Sequence, residues 1–78
     1  MNRLALESKL KKHWQKWHPQ KTKELKGAGN FEAEAHAVVK MALKEREVLI
    51  KQGYRDFEAD EVILKQFILT EPEPDARG

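Results

Sequence analysis

Apolar residues recur at helical spacing along most of the chain, and one punctuated stretch shows it most clearly. After Asn30 an apolar stripe runs Phe31, Ala35, Val38, Met41 or Ala42, and Val48 or Leu49. These are the three- and four-residue steps of one helix face. Asn30 is of a type that caps a helix start, and Gly53 stands where a left-handed residue ends one. Asp56 is a second candidate cap, and Phe57, Val62, Ile63, Leu64, Phe67 and Ile68 continue the apolar character. The pattern predicts a helical hairpin of residues 30–52 and 56–69. Val62-Ile63-Leu64 and Phe67-Ile68-Leu69 have strand-like composition, but the capping Asp56 and the acidic start argue for helix.

A further helix is expected over residues 3–17. Leu6, Leu10, Trp14 and Trp17 share one narrow arc at about 100° per residue, with Lys9, Lys12 and Lys16 on a neighbouring polar arc. Asn2 can cap its first turn. Pro19 forbids continuation by biasing His18 away from helical angles. A short helical turn at Gln20 to Lys26 and a joint at Gly27-Ala28-Gly29 follow. Ala33, Ala35, Ala37 and Ala42 are small enough for a second helix to approach closely. The fold class is therefore all-α: a three-helix domain over residues 1–69. Thr70-Glu71-Pro72-Glu73-Pro74-Asp75-Ala76-Arg77-Gly78 has the composition of a disordered acidic tail.

A chain of 78 residues makes at most one domain, and such a domain buries only about 60% of its unfolded surface. It has no cysteine, so disulfides and Cys-His zinc sites are unavailable, and good helix packing or self-association must supply stability. No apolar run approaches the roughly 20 residues of a membrane span, and the first residues lack the apolar core of a signal peptide. A cytoplasmic setting is expected. The formal charge of +2 hides an asymmetry. Residues 1–29 hold eight basic and two acidic groups, giving +6, and residues 30–78 hold seven and eleven, giving −4. A basic arm facing an anionic partner accounts for this, and so does attraction between two halves of one fold.

Catalytic chemistry has little to stand on. His13 and His18 are five apart, unlike the four-residue spacing of paired helical metal ligands, and His36 is isolated. Glu32/Glu34, Glu45/Glu47 and Asp60/Glu61 read as solvated or salt-bridged faces. Ser8 is the only serine and has no nucleophile elbow. Gly27-Ala28-Gly29 lacks the Lys-Ser/Thr of a phosphate loop. No catalytic residue, metal ligand or cofactor is assigned, and an enzyme is not expected.

The stretch from Lys9 to Lys21 interleaves cations with two indoles. Lys9, Lys11, Lys12, Lys16 and Lys21 can pair with phosphates while a tryptophan stacks on a base. A basic amphipathic helix can equally lie on an anionic membrane or enter a partner's groove. The plainer reading, favoured by the arc that Trp14 and Trp17 share with Leu6 and Leu10, puts both indoles in the core. A different surface is suggested by the last helix, whose apolar residues cover more than half its circumference. Val62, Ile63, Phe67 and Leu69 are candidate protein-interface residues, and a dimer is expected.

From Leu25-Lys26-Gly27-Ala28-Gly29-Asn30-Phe31-Glu32 to Ala59-Asp60-Glu61-Val62-Ile63-Leu64-Lys65-Gln66-Phe67-Ile68-Leu69, the chain resembles small helical accessory proteins of bacterial mobile elements. These are transposon-, plasmid- or phage-type proteins with a glycine joint, a long helix and an Ala-x-Glu-Val-Leu-type last helix. The resemblance implies an accessory factor or inhibitor and carries over no site. The resulting expectation is a non-enzymatic helical module that binds a protein partner and forms a homodimer. The alternative is a nucleic-acid-binding protein contacting phosphates through its basic first helix.

Overall fold

The computed structural model describes residues 2–72. Its order is α1 (Arg3–Trp17), α2 (Pro19–Gly27), α3 (Phe31–Lys51), α4 (Asp56–Ile63) and a π turn (Leu64–Ile68) that continues α4. The protein is all-α, with no strand among the described residues. Residues 19–27 form a full helix where only a short turn was expected, so the hairpin and the first helix are joined by a fourth element.

Local chemistry sets most boundaries. The Asn2 side chain accepts hydrogen bonds from the Leu4 and Ala5 backbone N–H groups at 2.8 and 3.4 Å, capping α1 as expected. Pro19 begins α2 at a position where its missing N–H would have no helical partner. Both α2 and α3 end in the same double-bonded glycine motif. At α2, Gly29 donates to Lys26 O and Asn30 to Leu25 O; at α3, Gly53 donates to Ile50 O and Tyr54 to Leu49 O. Gly29 has φ 74° and Gly53 φ 103°, so each occupies the left-handed position that this cap requires.

Two expected caps work differently. Asn30 sits at the N-cap of α3, but its side chain makes no capping bond. Its N–H is already committed to closing α2, and its ψ of 3° lies far from the extended angle at which a capping side chain reaches forward. Asp56 is the first residue of α4 rather than its cap. Arg55 takes the extended cap position (ψ 159°), and Glu58 reaches back to accept its N–H at 3.1 Å.

Helix α3 is the spine, against which α1, α2, α4 and the π turn all pack. The molecule measures 40 × 25 × 16 Å. Its thin dimension matches two helix layers, given axes 8–10 Å apart and Cα radii of about 2.3 Å. The core joins Leu6, Leu10 and Trp14 of α1 to Phe31, Ala35, Val39, Ala42 and Leu49 of α3, with Ala59, Ile63 and Ile68 closing it. Trp14 meets Phe31 edge-on, centroids 6.1 Å apart. Trp17 is half-buried rather than core, and of the small residues of α3 only Ala35 and Ala42 face inward, Ala33 and Ala37 being exposed.

The expected stripe on α3 merges two strips. Val39, Ala42 and Leu49 point inward, Val38 is half-buried, and Met41 and Val48 point outward at 60% and 42% exposure. The reason is the 100° rotation between adjacent residues, which forces a choice at each of the pairs 38/39, 41/42 and 48/49. The π turn accounts for part of the greasy last helix, while Phe57 and Leu69 stay exposed. Leu69 N–H donates to Leu64 O at 2.6 Å across five residues, and the widened turn lets both Ile63 and Ile68 point inward, each wholly buried.

Few ion pairs tie the layers. Lys11 Nζ reaches Glu32 at 2.8 Å, joining α1 to α3. Arg46 bridges α3 to α4 through Asp60 at 2.6 Å and Asp56 at 3.7 Å. The Asp60 hydrogen bond holds the Arg46 guanidinium even above its usual high pKa.

Candidate interaction surfaces

Three surfaces carry the residues singled out by sequence. The first is the basic face of α1. Lys9, Lys12 and Lys16 are exposed on it, while Lys11 is drawn aside by Glu32. Lys21, from α2, lies over the Trp14 ring at 4.6 Å, and Lys16 over the Trp17 ring at 5.0 Å. Trp14 is only 2% exposed, so it supports the fold and offers no face to a base. The lysine arc thus lies beside a buried Trp14, and the partly exposed indole next to it is Trp17. Lys9 and Lys12 have no carboxylate partner among the described residues.

The second is a histidine pair on Thr70. The break between α1 and α2 swings His18 back beside His13, with ring centroids 5.5 Å apart. His13 Nε2 lies 2.8 Å from the Thr70 carbonyl oxygen, to which it donates. His18 Nε2 lies 3.1 Å from the Thr70 hydroxyl. Thr70, assigned by composition to the tail, is therefore half-buried and tied to the fold; residues 73–78 of that tail lie outside the described residues. The pair is a clasp on the chain after the π turn. No group of three or more metal-ligating side chains occurs among the described residues. His36 instead lies 3.6 Å from Glu7, which also faces Arg3 at 3.5 Å.

The third surface was not foreseen. Met41, Lys44, Glu45 and Val48 of α3 line a shallow groove with Phe67 of the π turn. Of the expected interface residues, Phe67 lines this groove; Leu69 is 46% exposed and Val62 half-buried. Ile63 is 0% exposed, so it belongs to the chain's own core and not to an outer face. The signal that would have found the groove is the second strip on α3. Val38, Met41, Glu45 and Val48 step by three, four and three residues, beside the inward series.

Other acidic pairs are not brought together for chemistry. Glu32 and Asp60 are engaged with Lys11 and Arg46, Glu34 and Glu47 are exposed, and Ser8 is exposed on α1. No described helix is long and apolar enough to cross a membrane. Comparison of the chain with protein-family models, with characterised proteins and with solved structures finds no match to any of them.

Proposed function

We propose that this chain is a non-enzymatic helical interaction module that recognises protein and associates with itself. The observation that carries this reading is the groove on the open side of α3. Met41 and Val48 stand exposed there beside Phe67. Large apolar side chains clustered at a groove, rather than scattered singly, are what a helix-recognising surface needs. The resemblance to mobile-element accessory proteins supplies the proposed setting, an accessory factor or inhibitor acting by binding rather than by catalysis. Light scattering from 1 µM to 1 mM, roughly the range in which such contacts become visible, tests the reading. Mass above the 9.1 kDa of one chain supports it; one-chain mass throughout overturns it.

A second reading is favoured by Lys9, Lys12 and Lys16. Exposed together on α1, they suit sequence-independent contact with backbone phosphates. In an anisotropy titration with random duplex DNA at two salt concentrations, each Lys→Ala change should flatten the salt slope by about one unit. Absence of binding at low salt removes this reading.

A further inference from the structure

The exposed face of α1 holds no carboxylate. Between residues 5 and 16 its exposed side chains are Ala5, Ser8, Lys9, Lys12, Gln15 and Lys16. Glu7, the single acidic residue of α1, is half-buried and engaged with Arg3 and His36. Lys9, Lys12 and Lys16 have no carboxylate partner among the described residues. From Lys9 to Lys16 the helix rises about 10 Å, the length of about three nucleotides at roughly 3.4 Å per step. Ser8 and Gln15 add neutral groups of the kind that hydrogen-bond phosphate oxygens. At the C-terminal end of this line stands Trp17. It is half-buried, and among the described residues it neither belongs to the core nor packs against it. The Lys16 ammonium lies over its ring, 5.0 Å from the centroid.

We propose that this face binds single-stranded nucleic acid, with phosphates along the lysine line and a base stacked on Trp17. This rests on the phosphate-binding reading and names the class of nucleic acid it takes. A row of cations attracts any polyanion. An indole beside the row adds a contact for an unpaired base, whose faces are free, whereas the bases of a duplex are already stacked on one another. Lys16 links the two parts of the site. A base that lands on the Trp17 ring displaces the ammonium, which then pairs with a phosphate of the same strand. The exchange favours the strand, because base stacking outweighs an exposed cation–π contact and the lysine gains a phosphate in return. Stacking tolerates every base, so binding is indifferent to sequence. Trp14 takes no part, being buried with the Lys21 ammonium over its ring. An anionic membrane is a poorer match, because the apolar arc of Leu6, Leu10 and Trp14 that would enter it is buried in the fold.

Intrinsic fluorescence of the full chain at low salt, about 50 mM, tests the proposal. The probes are an oligothymidylate of about ten nucleotides, a duplex of equal charge, inorganic polyphosphate and polyglutamate. Oligothymidylate should quench indole emission and bind more tightly than the duplex. Trp17→Ala should abolish the quenching and weaken oligothymidylate binding about tenfold or more. Its polyphosphate binding should stay within a few-fold, which reports an intact lysine face. Trp17→Phe keeps an aromatic ring and should hold oligothymidylate to within a few-fold of the native chain. Unchanged oligothymidylate affinity in Trp17→Ala, or a preference for the duplex, overturns the stacking site and leaves the phosphate reading standing. Equal loss of polyphosphate binding in Trp17→Ala means that Trp17 serves the fold alone, which also overturns it. Polyglutamate bound as tightly as oligothymidylate means an acidic protein partner and overturns the proposal. No binding of any polyanion overturns both the proposal and the phosphate reading.

Discussion

Gly53 shows how a single residue directs the chain. Its φ of 103° is one that side-chain-bearing residues rarely adopt, and the space about its Cα is open, with nothing within 4 Å of an added Cβ. Gly53→Ala should therefore lose about 1 kcal/mol from backbone strain alone. In a domain of this size that lowers the melting temperature by about 4–8 °C; an unchanged transition in a thermal melt would contradict the cap. Trp14 acts through volume instead. Buried beneath the Lys21 ammonium and edge-on to Phe31, it should cost roughly 3–5 kcal/mol on replacement by alanine, read by urea denaturation. Thr22 is the converse case. It is 8% exposed, and its hydroxyl has no hydrogen-bond partner among the described residues. Thr22→Val keeps the branched shape and removes the orphaned oxygen, so it should stabilise the protein by about 1 kcal/mol. A loss of stability on that change would mean the hydroxyl is satisfied after all.

At the scale of elements, α3 serves two faces at once. Its inward strip is built of small and branched residues, Ala35, Val39 and Ala42, which let α1 lie close against it. Its outward strip keeps Met41 and Val48 in solvent. Arg46 occupies the gap between Ala42 and Leu49 and uses it to grip Asp60 on α4. The π turn adds a second structural device. Widening one turn aligns Ile63 with Ile68 and delivers Thr70 to the two histidines at the end of α1. That clasp fastens the last element to the first helix. His13→Ala should cost about 1 kcal/mol and should raise amide exchange at residues 64–69 above that of α3. Uniform exchange changes would mean the clasp has no local role.

For the whole molecule, charge segregation outweighs charge pairing. The basic N-terminal segment and the acidic remainder meet at a close pair, Lys11 with Glu32 at 2.8 Å; the contact of Glu7 with His36 at 3.6 Å runs the other way, with its carboxylate on the basic segment. Attraction between the two halves is thus a small part of stability. Raising salt from about 0.05 to 0.5 M should change unfolding free energy by less than about 1 kcal/mol, as measured by urea titration. The uncompensated lysines of α1 remain available to an anionic partner.

Much of this architecture is legible in the chain because its causes are local. Asn2, Pro19 and Gly53 set helix ends through hydrogen bonds and backbone angles reaching no more than a few residues, so α1 and the end of α3 stand where the sequence puts them. Leu6, Leu10 and Trp14 declare one buried face because their spacing matches one arc. The choice between Met41 and Ala42, or Val48 and Leu49, is not local. Adjacent residues differ by 100° about the helix axis, and which one is buried depends on where α1 and α4 come to rest. Asn30 makes no side-chain cap because the turn that closes α2 leaves its ψ at 3°, away from the extended angle a capping residue adopts. The meeting of His13, His18 and Thr70 required residues 52 and 57 positions apart to be brought together by a π turn that no residue type announces. The sequence by itself determined the all-α class, the first helix and the end of α3 through short-range hydrogen bonding and periodicity. Only the tertiary structure decided which of two strips on α3 stayed in solvent, because burial is a property of the neighbours as much as of the residue.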